Sequence, residues 1–319
     1  MKLIVTIDTE EDNWNRYSRN ENSCKNIEQL LALQELFESF SVMPTYLLTM
    51  PVVNDEKSQD ILKRIISGGM CEIGTHCHPW NTPPFDEPFT KKNTMLSNLP
   101  EKLILQKLST LHFAIQEKFG VSPVSFRSGR YGFNEHVAHA LEKLNYRIDT
   151  SITPFEDQSQ YWGPDFSGYS PWPYRFSSKN IFKPDAHGKL IEIPISTGFL
   201  QKNFFFYNRL LKFLQKRSFI TRFRVIGIMN ALRLLNKVSL NPERFNEYEM
   251  IALAKVLCSK GVNVLNFTFH STSLKAGLSP FTKTELDEQR IFNRIKAFLK
   301  FINDEGIESV GISDAAKDL

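Results

Sequence analysis

Strand-like runs that end in a polar or ionisable residue alternate with helix-like stretches along nearly the whole chain, and this alternation restricts the fold more than any other feature. Lys2 to Asp8 is apolar and β-branched up to a terminal acid. Met43 to Thr49, Cys71 to His78, Val124 to Arg127, Arg147 to Thr150, Leu190 to Ile195, Asn263 to His270 and Glu308 to Ile312 read as further strands. Between them, apolar residues recur at helical spacing from Ile27 to Phe40, Ile61 to Ile66, Glu101 to Phe119, Asn134 to Leu144, Asn246 to Ser259 and Thr284 to Ile302. Gly68-Gly69 and Gly120 stand where helices end on a glycine. Strands alternating with helices predict a parallel sheet, open or closed into a barrel. No Gly/Ser linker or charge block divides the 319 residues, so residues 1–319 are read as one domain.

In a parallel sheet the strand ends lie on one rim, which gathers Asp8, His76, His78, Arg127, Asp149 and His270. Side chains alternate along a strand, so Glu72, Gly74, His76 and His78 share one face, and Cys71, Ile73, Thr75 and Cys77 the other. Pro79, Pro83 and Pro84 then end regular pairing, placing His78 where strand becomes loop. Thr6 with Asp8, and Asn266 with Thr268 and His270, likewise oppose apolar faces and point to a common polar cavity.

Hydrophobic residues at 41% and charged ones at 23% suit a globular chain with a large core rather than disorder. A net charge of +4 gives no case for nucleic acid. The opening MKLIVTIDTEED reaches its first acid too early for an export signal, and no apolar run is long enough to span a bilayer. A cytoplasmic protein is therefore expected. The four cysteines lack CxxC spacing and read as reduced thiols, with Cys77 a small core residue facing away from the histidines.

TIDTEED, EIGTHCHP, FRSGRYG, IDTS and FTFHS stand in the order of the five motifs of the polysaccharide deacetylase family (NodB homology, carbohydrate esterase family 4), which the chain resembles over nearly its whole length. The resemblance implies a distorted (β/α) barrel of about seven strands and metal-dependent removal of an acyl group from a sugar. Carried over residue by residue, it makes Asp8 the catalytic base, His76 and His78 metal ligands, Arg127 the support of the base, Asp149 the acid that tunes the last histidine, and His270 the general acid. Arg130, Tyr131 and Trp80 fall on the substrate side. Three departures stand out. Thr9 occupies the place of the family's second acid, so Glu10 is the expected third ligand, with Glu11 and Asp12 as alternatives. The histidines are two residues apart where the family usually has four, and Gly129-Arg130 precedes Tyr131 where a proline is common.

The residue types suit this chemistry on their own terms. Two neutral imidazoles and one carboxylate leave open positions on Zn²⁺, and Fe²⁺, Co²⁺ or Ni²⁺ suit the same donors. The expected activity is deacetylation of an N-acetylated sugar in a surface glycan or its lipid-linked or nucleotide-linked precursor. Two other readings compete: an amidase or cyclic imidase acting on a small substrate, and a non-catalytic glycan-binding relative that has lost its metal. Trp80, Trp162 and Trp172 are suited either to stack on sugar rings or to pin down their loops.

Two stretches lie outside the motifs. Ser151 to Tyr174 is aromatic and rich in Gly and Pro, and reads as a long functional loop. Lys202 to Lys237 has nine Lys and Arg but no Asp or Glu, interleaved with aromatic and aliphatic residues, within a helical insertion expected at about 200–240. It suits either packing on the barrel or a second subunit, or peripheral contact with an anionic inner membrane face. The oligomeric state leaves no trace in the sequence.

Overall fold

The computed structural model describes residues 1–12, 16–215 and 225–319. Among these, seven strands run parallel in one sheet, ordered β11 (Val264–His270), β1 (Lys2–Thr9), β2 (Pro44–Leu48), β3 (Glu72–Cys77), β4 (Ser125–Ser128), β5 (Ile148–Asp149) and β8 (Leu190–Glu192). The short β12 (Glu308–Ser309) also pairs with β1. Helices α1 (Leu30–Ser39), α2 (Met50–Asn54), α3 (Glu56–Ser67), α4 (Glu101–Phe119) and α5 (Glu135–Lys143) fill the connections of the first five strands, as the alternation in sequence requires. No ladder among the described residues joins β8 to β11. The backbone nevertheless draws these edges together: Asn266 N donates to Ser196 Oγ at 2.8 Å and Thr268 N to the Leu240 carbonyl at 3.0 Å.

Alternation along the strands sorts the two faces. Leu3, Val5, Ile7, Tyr46, Leu48, Ile73, Cys77 and Phe126 join the main core with the helices. On the opposite face, Ile4, Ile148, Ile191 and Val264 form a small apolar plug with Ile312 and Ala315. Above it lies a polar layer built around Arg127, which is fully buried. Its Nη1 donates to Thr268 Oγ1 at 2.8 Å, Nη2 to Thr6 Oγ1 at 2.7 Å and to Thr150 Oγ1 at 3.1 Å, and Nε to the Thr150 carbonyl at 2.9 Å. Ionisable side chains occupy the level above, at the C-terminal strand ends.

The sheet also carries a hairpin that the sequence pattern does not announce. β6 (Tyr174–Ser177) pairs antiparallel with β8 and with β7 (Asn180–Pro184). β7 is an edge strand burying only Ile181, so it lacks the alternation that marks a strand. A second ribbon pairs β9 (Thr197–Phe199) with β10 (Lys237–Ser239) and brings the two ends of the basic segment side by side. Within that segment, α6 (Phe204–Gln215) buries Phe204, Asn208, Leu211 and Leu214, while Phe205, Phe206 and Phe213 are about half exposed. Lys216, Arg217, Arg222 and Arg224 lie outside the described residues.

The loop after β3 is held by an unusual buried cation. Lys107 of α4 has no exposed surface, and its Nζ donates to the carbonyls of Pro79, Thr82 and Pro84 and to Glu87 Oε1, at 2.7–3.1 Å. A buried ammonium survives only when its donors are satisfied in this way. Lys107→Met is expected to destabilise the protein by about 3–5 kcal/mol, because it leaves the Glu87 carboxylate and three carbonyls without their donor. Urea unfolding monitored by circular dichroism checks this; a midpoint unchanged from wild type would show that water replaces the ammonium.

Candidate active site

Strand register assembles the centre of the cavity. Asp8 of β1 stands opposite His270 of β11, and His76 of β3 opposite Arg127 of β4. Arg127 Nη1 donates to Asp8 Oδ1 at 2.6 Å, and His270 Nε2 lies 3.6 Å from Asp8 Oδ2. Burial pulls the Asp8 carboxyl upward, but the nearby positive charge, led by Arg127, holds it down at about 2. Asp8 is therefore an ionised carboxylate across the neutral range.

His76 and His78 project to the same side, as two-residue spacing on a strand demands. His76 Nδ1 donates to the Arg127 carbonyl at 3.0 Å and His78 Nδ1 to Glu11 Oε1 at 2.9 Å. Both acceptors fix the proton on Nδ1, so the Nε2 lone pairs face inward, only 3.0 Å apart. Glu10 Oε2 completes the group at 3.4 Å from His78 Nε2 and 3.7 Å from His76 Nε2. Two lone pairs and a carboxylate so arranged repel one another unless positive charge sits between them. Donors about 2.0–2.1 Å from a tetrahedral zinc ion stand roughly 3.3–3.4 Å apart, so the three residues fit such a cation. Thr9, on the outer face, bonds back to the Ile7 carbonyl, and the next inward residue after Asp8 is Glu10.

Glu11 and Asp12 have separate tasks. Glu11 orients His78 while accepting from Asn81 Nδ2 at 2.7 Å and Thr49 Oγ1 at 3.0 Å. Asp12 ties its loop to Ser23, Lys25 and Asn26. Gly129 is required by close approach: a Cβ there would stand 2.5 Å from His78 Cδ2 and 2.7 Å from the Cys77 carbonyl. Trp80 stacks on His78, ring centroids 4.1 Å apart, and is 6% exposed, so it walls the imidazole. Arg130 and Tyr131 line the same cavity of about 320 Å³, both with left-handed backbone.

The expected pairing of Asp149 with His270 does not occur. Ile148 faces the apolar plug, so Asp149 points to the other side of β5, where it accepts from Ser151 N at 3.1 Å and Ser151 Oγ at 2.7 Å. It stands in register with Glu192, and burial pushes both carboxyls up, the state in which two adjacent buried acids share a proton. The partner of His270 is Glu243, whose Oε2 and Oε1 lie 3.0 and 3.1 Å from Nδ1. Ser273 Oγ and Asn241 Nδ2 donate to the same carboxylate at 2.5 and 3.0 Å. Burial would lower the His270 pKa, but Glu243 first, then Glu10 and Asp8, raise it to about 10. Sequence reasoning missed Glu243 because it lies in an irregular stretch after the basic segment, outside every motif; an acid just before the helical stretch at Asn246 to Ser259 was its sole signal.

The fold and site together define an α/β sheet protein with a His-His-Glu cluster beside a buried Asp–Arg–His group. No protein-family profile and no curated protein matches the chain. Among solved structures it is similar to a protein provisionally described as a glycoside hydrolase/deacetylase from Parabacteroides distasonis, at 13% identity and TM-score 0.62, covering 99% of this chain and 70% of that one. It is also similar to one provisionally described as a polysaccharide deacetylase from Mycobacterium smegmatis, at 14% identity and TM-score 0.54, covering 99% and 90%. A 4-alpha-glucanotransferase from Thermococcus litoralis matches at 13% identity and TM-score 0.51, covering all of this chain and 38% of that one. The chain thus has the fold of the polysaccharide deacetylases. Since a glucanotransferase shares it, the reaction has to be argued from side chains.

Proposed function

We propose that the protein is a metal-dependent deacetylase of an N-acetylated sugar, with Glu10, His76 and His78 holding a divalent cation, most simply Zn²⁺. The observation that carries this reading is the convergence of two Nε2 lone pairs and a carboxylate beside the Asp8–His270 pair in one cavity. A cation held there polarises the acyl carbonyl and acidifies water. Asp8, kept ionised by Arg127, takes the proton of the attacking water. His270, kept as imidazolium by Glu243, gives a proton to the departing amine as the C–N bond breaks, so acetate and the free amino sugar result. Arg130, Tyr131 and Trp80 bound the volume left for the sugar. Incubating the purified protein with zinc and N-acetylated sugars, beside cyclic imides, tests the reading: acetate release supports it, and ring opening of imides alone replaces it with the imidase reading. Protein that binds glycan but neither retains metal nor turns over either substrate is the non-catalytic alternative.

We further propose that residues 1–319 form one domain and that its segment at 200–240 meets an anionic membrane surface, so that a cytoplasmic enzyme reaches lipid-linked glycan there. Among the described residues no helix is long and apolar enough to cross a membrane. Support comes from the half-exposed Phe205, Phe206 and Phe213 on α6, next to the exposed Lys202 and Arg209. Co-sedimentation with vesicles containing anionic lipid is expected for wild type and reduced severalfold when Lys216, Arg217, Arg222 and Arg224 are changed to Gln. Equal binding by both proteins, or by neither, removes the membrane role.

A further inference from the structure

Every carboxylate of the cavity has a positive group or a ligand role to answer it. Asp8 has Arg127, Glu11 has His78, Glu243 has His270, and Glu10 faces the two imidazoles. On the wall, Glu156 pairs with Lys237 at 2.7 Å. The two outer arginines are not answered in this way. Arg130 Nη1 donates to Thr94 Oγ1 and to the Lys91 carbonyl, both neutral, and its guanidinium lies 5.5 Å from the Tyr17 ring centroid. Arg244 lines the same cavity from an exposed position, next in sequence to Glu243, with its backbone N–H donating to Asn241 Oδ1 at 3.2 Å. Among the described residues its guanidinium has no hydrogen-bond or ion-pair partner. Tyr131 joins the two arginines: Arg130 precedes it in the chain, and the Arg244 charge acts on its phenol.

A guanidinium offers five N–H donors in a planar fork that matches the paired oxygens of a carboxylate or phosphate. Neither guanidinium is neutralised by a carboxylate, so an incoming anion forms a charge-assisted pair without displacing one. We propose that Arg244, assisted by Arg130, seats an anionic group, carboxylate or phosphate, carried by the acetylated sugar. The site then favours acidic or phosphorylated amino sugars over neutral ones. This rests on the deacetylase reading for the sugar, while the anion seat itself rests on the two arginines.

Calorimetric titration of zinc-loaded protein, in the slow Asp8→Asn background, separates the two. The probes are N-acetylglucosamine, its 6-phosphate, N-acetylmuramic acid as the carboxylate form, and inorganic phosphate. One of the anionic sugars is expected to bind about tenfold or more tightly than N-acetylglucosamine, with the gap shrinking as salt rises. Adding Arg244→Gln should close that gap and leave the affinity for N-acetylglucosamine unchanged, which also shows that the variant is folded. Whichever anionic sugar shows the gap identifies the group. Equal affinity for all three sugars, or an Arg244→Gln effect of the same factor on each, overturns the proposal. Phosphate binding that depends on Arg244, with no sugar bound, keeps the anion seat and sinks the sugar reading instead.

Discussion

Asp8→Asn is expected to lower the rate of acetate release by about 10² to 10⁴ while leaving the bound cation in place. The amide keeps an oxygen that accepts from Arg127 Nη1, and Thr6, Thr150 and Thr268 continue to hold the other guanidinium donors, so the polar layer survives. What disappears is the carboxylate able to take a proton. Its pKa, held near 2, means that Asp8 is ionised throughout the working range, so the acid limb of the wild-type profile is not set by Asp8. Measuring zinc content and turnover on the same preparations separates the roles: a variant that loses both metal and activity would make Asp8 a ligand rather than a base.

Glu243→Gln should move the alkaline limb of the pH profile. The raised His270 pKa, about 10 against an ordinary 6.5, depends chiefly on the Glu243 carboxylate. A general acid works only while protonated, so activity falls as pH rises through its pKa. Removing the carboxylate lowers that pKa, so the fall begins at lower pH and turnover at pH 8 to 9 drops by roughly tenfold or more. The side-chain amide oxygen of this variant still accepts from Ser273 Oγ, which keeps the loop in place. Asp149→Asn is the control, because Asp149 faces away from His270; a limb that moves with Asp149 and not with Glu243 would restore the pairing that the motif order suggested.

Much of this was legible in the sequence because strand periodicity is a strict rule. Alternation alone placed Asp8, His76 and His270 on the inner face, and the same rule selects Glu10, two residues beyond Asp8, once Thr9 is turned outward. The misassigned acid fails by that rule too. Ile148 is apolar and faces the plug, so Asp149 has to face the other way, but a strand of two residues is too short to show its parity in sequence. Glu243 was hidden for a different reason. It reaches His270 from an irregular stretch whose position depends on the pairing of β9 with β10 and on backbone bonds of Leu240 to Ser196 and Thr268, contacts between distant residues that local pattern does not encode. The β6–β7 hairpin was equally silent, since an exposed edge strand needs little hydrophobic pattern.

Metal stoichiometry decides whether Glu10, His76 and His78 hold one divalent cation. Protein equilibrated with zinc, freed of excess by gel filtration and analysed by mass spectrometry should carry one ion per chain in wild type and in Asp8→Asn. His76→Ala, His78→Ala and Glu10→Ala should each retain only a small fraction, because a three-ligand site that loses a donor has little affinity left. Circular dichroism establishes that the variants are folded. Wild-type protein that retains no zinc, or full retention in all three ligand variants, would contradict the account.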